Sequence, residues 1–195
     1  MKIISITGAH SGVGKTSLGA LLLREIEGFS AIKVTKTELF TSITTEEDII
    51  SEKGKDSSIL KEGGASKVIW IKSTQRDLKE SLPQALSMLG DCKGVIIEGN
   101  SPLDFIEPDL IIFVMNEDLS ALKPSGRKAL EEADLVVINT ESRDLEVLKA
   151  RVMDINPGAD IFSNDLTKGE IGRRFLELVM KKIGMEARNG ENPSG

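Results

Sequence analysis

Residues 6–23 read ITGAHSGVGKTSLGALLL. An apolar, β-branched segment (residues 2–7, KIISIT) runs into a loop holding Gly12 and Gly14, and the loop opens into a leucine- and alanine-rich run that favours helix. Glycines at a strand-to-helix turn let successive backbone N–H groups point inward. The start of the helix adds partial positive charge, and Lys15 adds a full one. Such a turn suits a polyphosphate.

The stretch fits the strand, GxxxxGK[ST], helix layout of a P-loop, with Ala9 at the first glycine position and Gly8 just before it. Nucleotide contacts are therefore expected from His10, Ser11, Gly12, Val13, Gly14, Lys15, Thr16 and Ser17. Lys15 is expected to neutralise the phosphates and Thr16 to offer its hydroxyl to a magnesium ion. His10 is read as a loop residue with no chemistry of its own.

Outward from this junction, short apolar runs alternate with longer amphipathic ones. Residues 2–7, 31–36, 67–72, 94–99, 109–115 and 134–140 read as strands buried on both faces. Helical spacing is carried by residues 15–27, 57–63, 78–89, 125–132, 142–154 and 169–183. The alternation predicts an α/β fold: a three-layer P-loop NTPase with a mostly parallel central sheet flanked by helices. At 195 residues the chain is expected to form one nucleotide-binding domain over 1–185, with a disordered polar tail over 186–195. Residues 37–55 are polar and acidic with no clear period, and are expected to form a mobile loop near the site. Trp70, inside an apolar strand, reads as core.

Composition narrows the setting. A formal net charge of -6 argues against general attraction to nucleic acid or anionic lipid. The single cysteine, Cys92, allows no internal disulfide, and no apolar run is long enough to span a bilayer, so a cytoplasmic protein is expected.

Further candidate residues lie away from the loop. In residues 95–103, VIIEGNSPL, an apolar strand ends in Glu98, and strand carboxyl ends line the ligand crevice of a parallel sheet. Glu98 is thus a candidate magnesium ligand. Asp56, in GKDSS, is either a third metal contact or the cap of the helix that follows. Asn139, in NTES, matches the first residue of the guanine-reading pattern Asn-Lys-x-Asp, but Ser142 replaces its acid, which leaves GTP or ATP open unless Glu141 supplies the charge. Asn164 and Asp165 either approach the base or cap a helix.

Taken together, GAHSGVGKTS, VTK ending in Lys36, VIIEG and the Asp-Ser of GKDSS resemble the SIMIBI class of P-loop NTPases. Within that class, residues 54–71 and VIIEG resemble MobB, the adaptor of molybdopterin-guanine dinucleotide biosynthesis. That resemblance implies a homodimeric GTP-binding adaptor with slow hydrolysis, molybdenum-cofactor biosynthesis proteins as partners, and Lys36 as added charge beside the phosphates. MobB proteins carry a histidine directly after the second-strand lysine, where this chain has Thr37. GAHSGVGKTS and IEGNSP also look like dethiobiotin synthetase, which implies an ATP-dependent ligase with Lys36 in a catalytic role. Residues 156–172 resemble the C-terminal segment of nickel-delivery GTPases. Those need a Cys/His cluster, and this chain has one cysteine and one histidine.

Overall fold

The computed structural model describes residues 1–118, 122–142 and 145–185. All six anticipated strands form and become the inner part of one sheet: β1 (Lys2–Gly8), β2 (Phe29–Lys36), β4 (Val68–Ser73), β5 (Gly94–Glu98), β6 (Leu110–Met115) and β7 (Leu135–Asn139). Two more, β3 (Ser42–Thr44) and β8 (Asp160–Asn164), lie at its edges, giving the order β3-β4-β2-β5-β1-β6-β7-β8. Every pairing is parallel except β3 with β4. The connecting helices are α1 (Lys15–Glu25), α2 (Glu47–Ile50), α3 (Asp56–Glu62), α4 (Leu78–Ser87), α5 (Pro124–Glu131), α6 (Glu146–Ile155) and α7 (Arg173–Lys182). The three-layer α/β architecture expected of a P-loop NTPase is therefore present.

Around β2, β4 and β5 the two faces of the sheet carry different apolar clusters, because side chains alternate along each strand. Ile4, Ile6, Ala31 and Ile96 pack beneath Leu18 and Leu22 of α1 and Leu60 of α3. On the opposite face Ile32, Val34, Ile69, Ile71, Val95 and Ile97 meet Leu78, Leu82 and Ala85 of α4. Burying one leucine or isoleucine in such a layer is worth about 1.5–3 kcal/mol.

Departures from the sequence expectations sit at the edges. β8 has a mixed pattern of exposure with no fully buried residue, so its sequence DIFSN lacks the continuous apolar run by which the inner strands are recognised. Residues 37–55 are not structureless: they contain β3 and the single turn of α2, whose Ile50 is buried. Their apolar content is too sparse to show a period, since Ile43 pairs with the sheet edge while Leu39 and Phe40 are 85% and 59% exposed. The expected tail, 186–195, lies outside the described residues.

Candidate nucleotide site

The end of β1 is held by backbone fit. A Cβ on Gly8 would fall 2.7 Å from the Val114 carbonyl oxygen of β6, which only glycine avoids. The Asn100 amide then clamps Gly8 from the other side: Gly8 N–H donates to Asn100 Oδ1 and Asn100 Nδ2 donates to the Gly8 carbonyl, both at 2.9 Å. Beyond this clamp the chain turns through Gly12 (φ 82°) and Gly14 (φ 106°) into α1. Gly14 carries no side-chain cap, so the first N–H groups of α1 stay available to an anion.

Around this loop the expected contacts take distinct positions. Ser11, Gly12 and Ser17 are exposed, whereas Val13 is buried. Lys15 Nζ folds back to donate to the His10 carbonyl at 2.8 Å. Burial holds the Lys15 ammonium below the usual lysine range; Glu98 opposes this and Lys33 reinforces it. His10 places Nδ1 2.7 Å from the Ser11 carbonyl and Nε2 3.2 Å from Asn116 Oδ1. A neutral imidazole has one N–H and can donate to only one of them.

Beside the loop lies a cluster of charges built by sheet register. Glu98 pairs in register with Lys33, and Lys33 with Trp70, so the three form a row across β5, β2 and β4 on the face covered by α1 and α3. Glu98, 2% exposed, accepts from Thr16 Oγ1 at 2.9 Å and from Lys33 Nζ at 2.5 Å. Lys33 also reaches Asp56 Oδ2 at 2.6 Å. Although burial alone would pull Lys33 down, Glu98 and Asp56 outweigh it and hold the ammonium above the ordinary lysine range. Asp56 is the mirror case: burial pushes its carboxyl up, but the hydrogen bond and charge of Lys33, with the Thr16 hydroxyl and the Lys15 charge nearby, hold it below the usual carboxylate range. The cap of α3 is Lys55, not Asp56, whose carboxylate faces the cluster. Thr16, Glu98 and Asp56 offer hard oxygen donors of the kind magnesium takes.

Lys33 and Asn100 escaped the sequence reading. Of the two lysines in FSAIKVTK, the one flanked by Ile32 and Val34 was the available signal, because a buried charge needs a partner. Lys36 is on the opposite face of β2 from Lys33, half exposed, 3.7 Å from Glu38.

At the other end, an uncharged side chain ties the loop to the edge of the sheet. Asn139, closing β7, donates from Nδ2 to the Val13 carbonyl and accepts from Leu166 N–H, both at 3.0 Å, which ties the phosphate loop to the turn after β8. Asp165 caps that turn by accepting from Thr167 N–H, and Asn164 donates to the Glu170 carbonyl. Hydrogen bonds from Thr167 and then Lys168 hold the Asp165 carboxyl below its ordinary range. Thr140, Glu141, Asn164, Asp165 and Lys168 line an adjoining cavity of about 360 Å³.

No family model matches the chain, and no curated protein does. Among solved structures it is similar to the hydrogenase maturation factor HypB from Archaeoglobus fulgidus, with TM-score 0.64 and 20% identity over 94% of this chain and 90% of that one. HypB from Helicobacter pylori in complex with nickel gives TM-score 0.57 and 15% identity over 98% and 92% of the two chains. Zn(II)-bound YjiA GTPase from E. coli gives TM-score 0.53 and 15% identity over 90% of this chain and 60% of its own length. At these identities the likeness is one of fold, and that fold is the P-loop NTPase type found in HypB and YjiA.

Proposed function

We propose that this chain binds a nucleoside triphosphate with magnesium, GTP before ATP, and hydrolyses it slowly as a nucleotide-dependent adaptor. The observation that carries the reading is the Thr16–Glu98–Lys33–Asp56 cluster standing beside a glycine turn that presents free helix N–H groups and Lys15. Lys15 would leave the His10 carbonyl to pair with the phosphates, a charge-assisted contact stronger than the one it gives up. Magnesium, arriving on the outer phosphates, would be held by the Thr16 hydroxyl and the Glu98 oxygen facing it, with Asp56 nearby, and would neutralise charge there. Turnover is expected to be slow, below about 0.01 per second, as in unassisted P-loop GTPases.

A role in molybdenum-cofactor maturation, as a homodimer, is the adaptor reading supported by the resemblance of residues 54–71 and VIIEG to MobB. The likeness to HypB suggests metal delivery instead. Against it, Cys92 stands beside Met1 at the start of β1 while His10 follows its end, and among the described residues no three His, Cys, Asp or Glu side chains gather as a metal-holding group. A ligase like dethiobiotin synthetase is separable by its need for a diamine and bicarbonate. The test is a thermal-shift series with GTP, GDP, ATP and ADP, with and without magnesium, since a ligand of the folded state raises its melting temperature. Stabilisation by triphosphates is expected. No shift with any nucleotide would overturn the proposal, and diamine-dependent ADP release would replace the adaptor with the ligase.

A further inference from the structure

We infer that Lys33 is a tethered cation that takes the place of a free metal ion at this site. The resting protein should therefore not bind a divalent cation alone and should depend only weakly on magnesium for nucleotide. The inference rests on the nucleotide reading above. Thr16 Oγ1, Glu98 and Asp56 form the oxygen set a hard cation would take, yet the Lys33 ammonium already lies 2.5 Å from Glu98 and 2.6 Å from Asp56. The Lys33 side chain is only 14% exposed and that of Glu98 2%, so their contact is an enclosed pair and not one that water readily breaks, while Asp56 is half exposed.

Lys15 and Lys33 balance Glu98 and Asp56, so the cluster is neutral, and a bare divalent ion would be added next to two ammonium groups with no anion left to offset it. A triphosphate changes this, because it brings the negative charge itself. The metal then enters only as part of the nucleotide complex, and much of the neutralisation it would otherwise supply is already built in.

The surroundings keep Lys33 in place. The cavity of about 290 Å³ beside it is lined by Thr35, Lys55, Asp56 and Trp70, which leaves space for the side chain to swing. That space already carries positive charge. Lys72 and Lys55 sit 4.0 and 5.4 Å from the centre of the Trp70 ring, so this refuge repels another ammonium. Trp70 itself is pinned by donation from Nε1 to Thr35 Oγ1 at 3.0 Å.

The experiment has two arms on the full chain. In the first, manganese(II) is titrated into nucleotide-free protein and followed by electron paramagnetic resonance. Wild type should leave the ion free, whereas Lys33→Met, which uncovers Glu98 and Asp56, should bind it. In the second, GTP affinity is measured with magnesium and with chelator. The wild-type ratio should stay within about tenfold, and Lys33→Met should widen it by at least about tenfold. Lys33→Arg, which keeps the charge, should behave as wild type in both arms, and Lys33→Gln serves in place of Lys33→Met if the latter does not fold. Stoichiometric binding of manganese by wild type overturns the inference, as does a variant whose metal binding and magnesium ratio are unchanged. If GTP fails to bind wild type in any condition, the nucleotide reading falls, whatever the manganese arm shows.

Discussion

The proposed phosphate end and the proposed base end of the candidate site are built in opposite ways. At the phosphate end, Lys15, Lys33, Glu98 and Asp56 come from α1, β2, β5 and α3, and meet near the middle of the sheet as compensated charges. At the base end, Asn139 makes neutral hydrogen bonds to backbone near the edge, where β8 closes the sheet. Charged contacts shielded from water are worth more than neutral ones, and the loss of one buried partner leaves the other uncompensated. Affinity should therefore be concentrated at the phosphate end, while the base end sets the loop's shape and discriminates modestly.

The sharpest way to break this contrast is Glu98→Gln. It leaves Lys33 with Asp56 alone and should cost about 3 kcal/mol of folding stability, read from the urea midpoint. A loss below about 1 kcal/mol would mean that the pair is not held as described. Next in size, Lys15→Ala should weaken triphosphate binding by roughly 1.5–3 kcal/mol, at least about tenfold by calorimetry. Its stability should not fall, because burial already disfavours that ammonium.

Substitutions at the base end should do less to affinity. Asn139→Ala removes two hydrogen bonds to backbone and should cost about 1–2 kcal/mol of stability while loosening the loop toward GTP and ATP alike. Base preference itself should be small, about tenfold for GTP or about 1.4 kcal/mol, because Asp165 is engaged by Thr167 and Lys168 and Ser142 replaces the usual acid. Competition binding would measure it. A preference near a thousandfold would move base recognition to Glu141, and Glu141→Gln should then abolish it.

The smallest effect is in the pH dependence. Asp56 has its folded pKa lowered, so its contribution is present above the ordinary carboxylate range and is lost as pH falls through that lower value. Lys33 is raised, so its contribution is present up to the ordinary lysine range and is lost as pH rises through the elevated folded value. Since half of the Asp56 side chain is exposed, solvent screening limits its share to below about 1 kcal/mol. Asp56→Asn should flatten the acid limb of an unfolding-stability profile by that amount, and an unchanged acid limb would place the carboxylate outside the cluster.

Much of the fold could be read along the chain because its strongest signals are local. The P-loop is a contiguous run, and the six inner strands are continuous apolar segments whose burial on both faces is written in their own composition. β3 and β8 were not legible, since an edge strand buries little and its sequence need not be apolar. The site divides in the same way. Gly12, Gly14, Lys15 and Thr16 are candidates from spacing and Glu98 from its position at the end of a buried strand, and the structure sets the Thr16 hydroxyl 2.9 Å from Glu98. Lys33 and Lys36 share β2 on opposite faces, and the sequence of the strand does not say which face meets the glutamate. Facing became meaningful once β2 lay beside β5 in the register that puts Lys33 opposite Glu98 and α3 delivered Asp56 to the same ammonium. Local sequence determined the glycine turn and the six inner strands, because backbone conformation and burial period act over a few residues. Which lysine answers the buried glutamate was decided by tertiary structure, because a Coulomb partner is chosen by distance in space and not by separation along the chain.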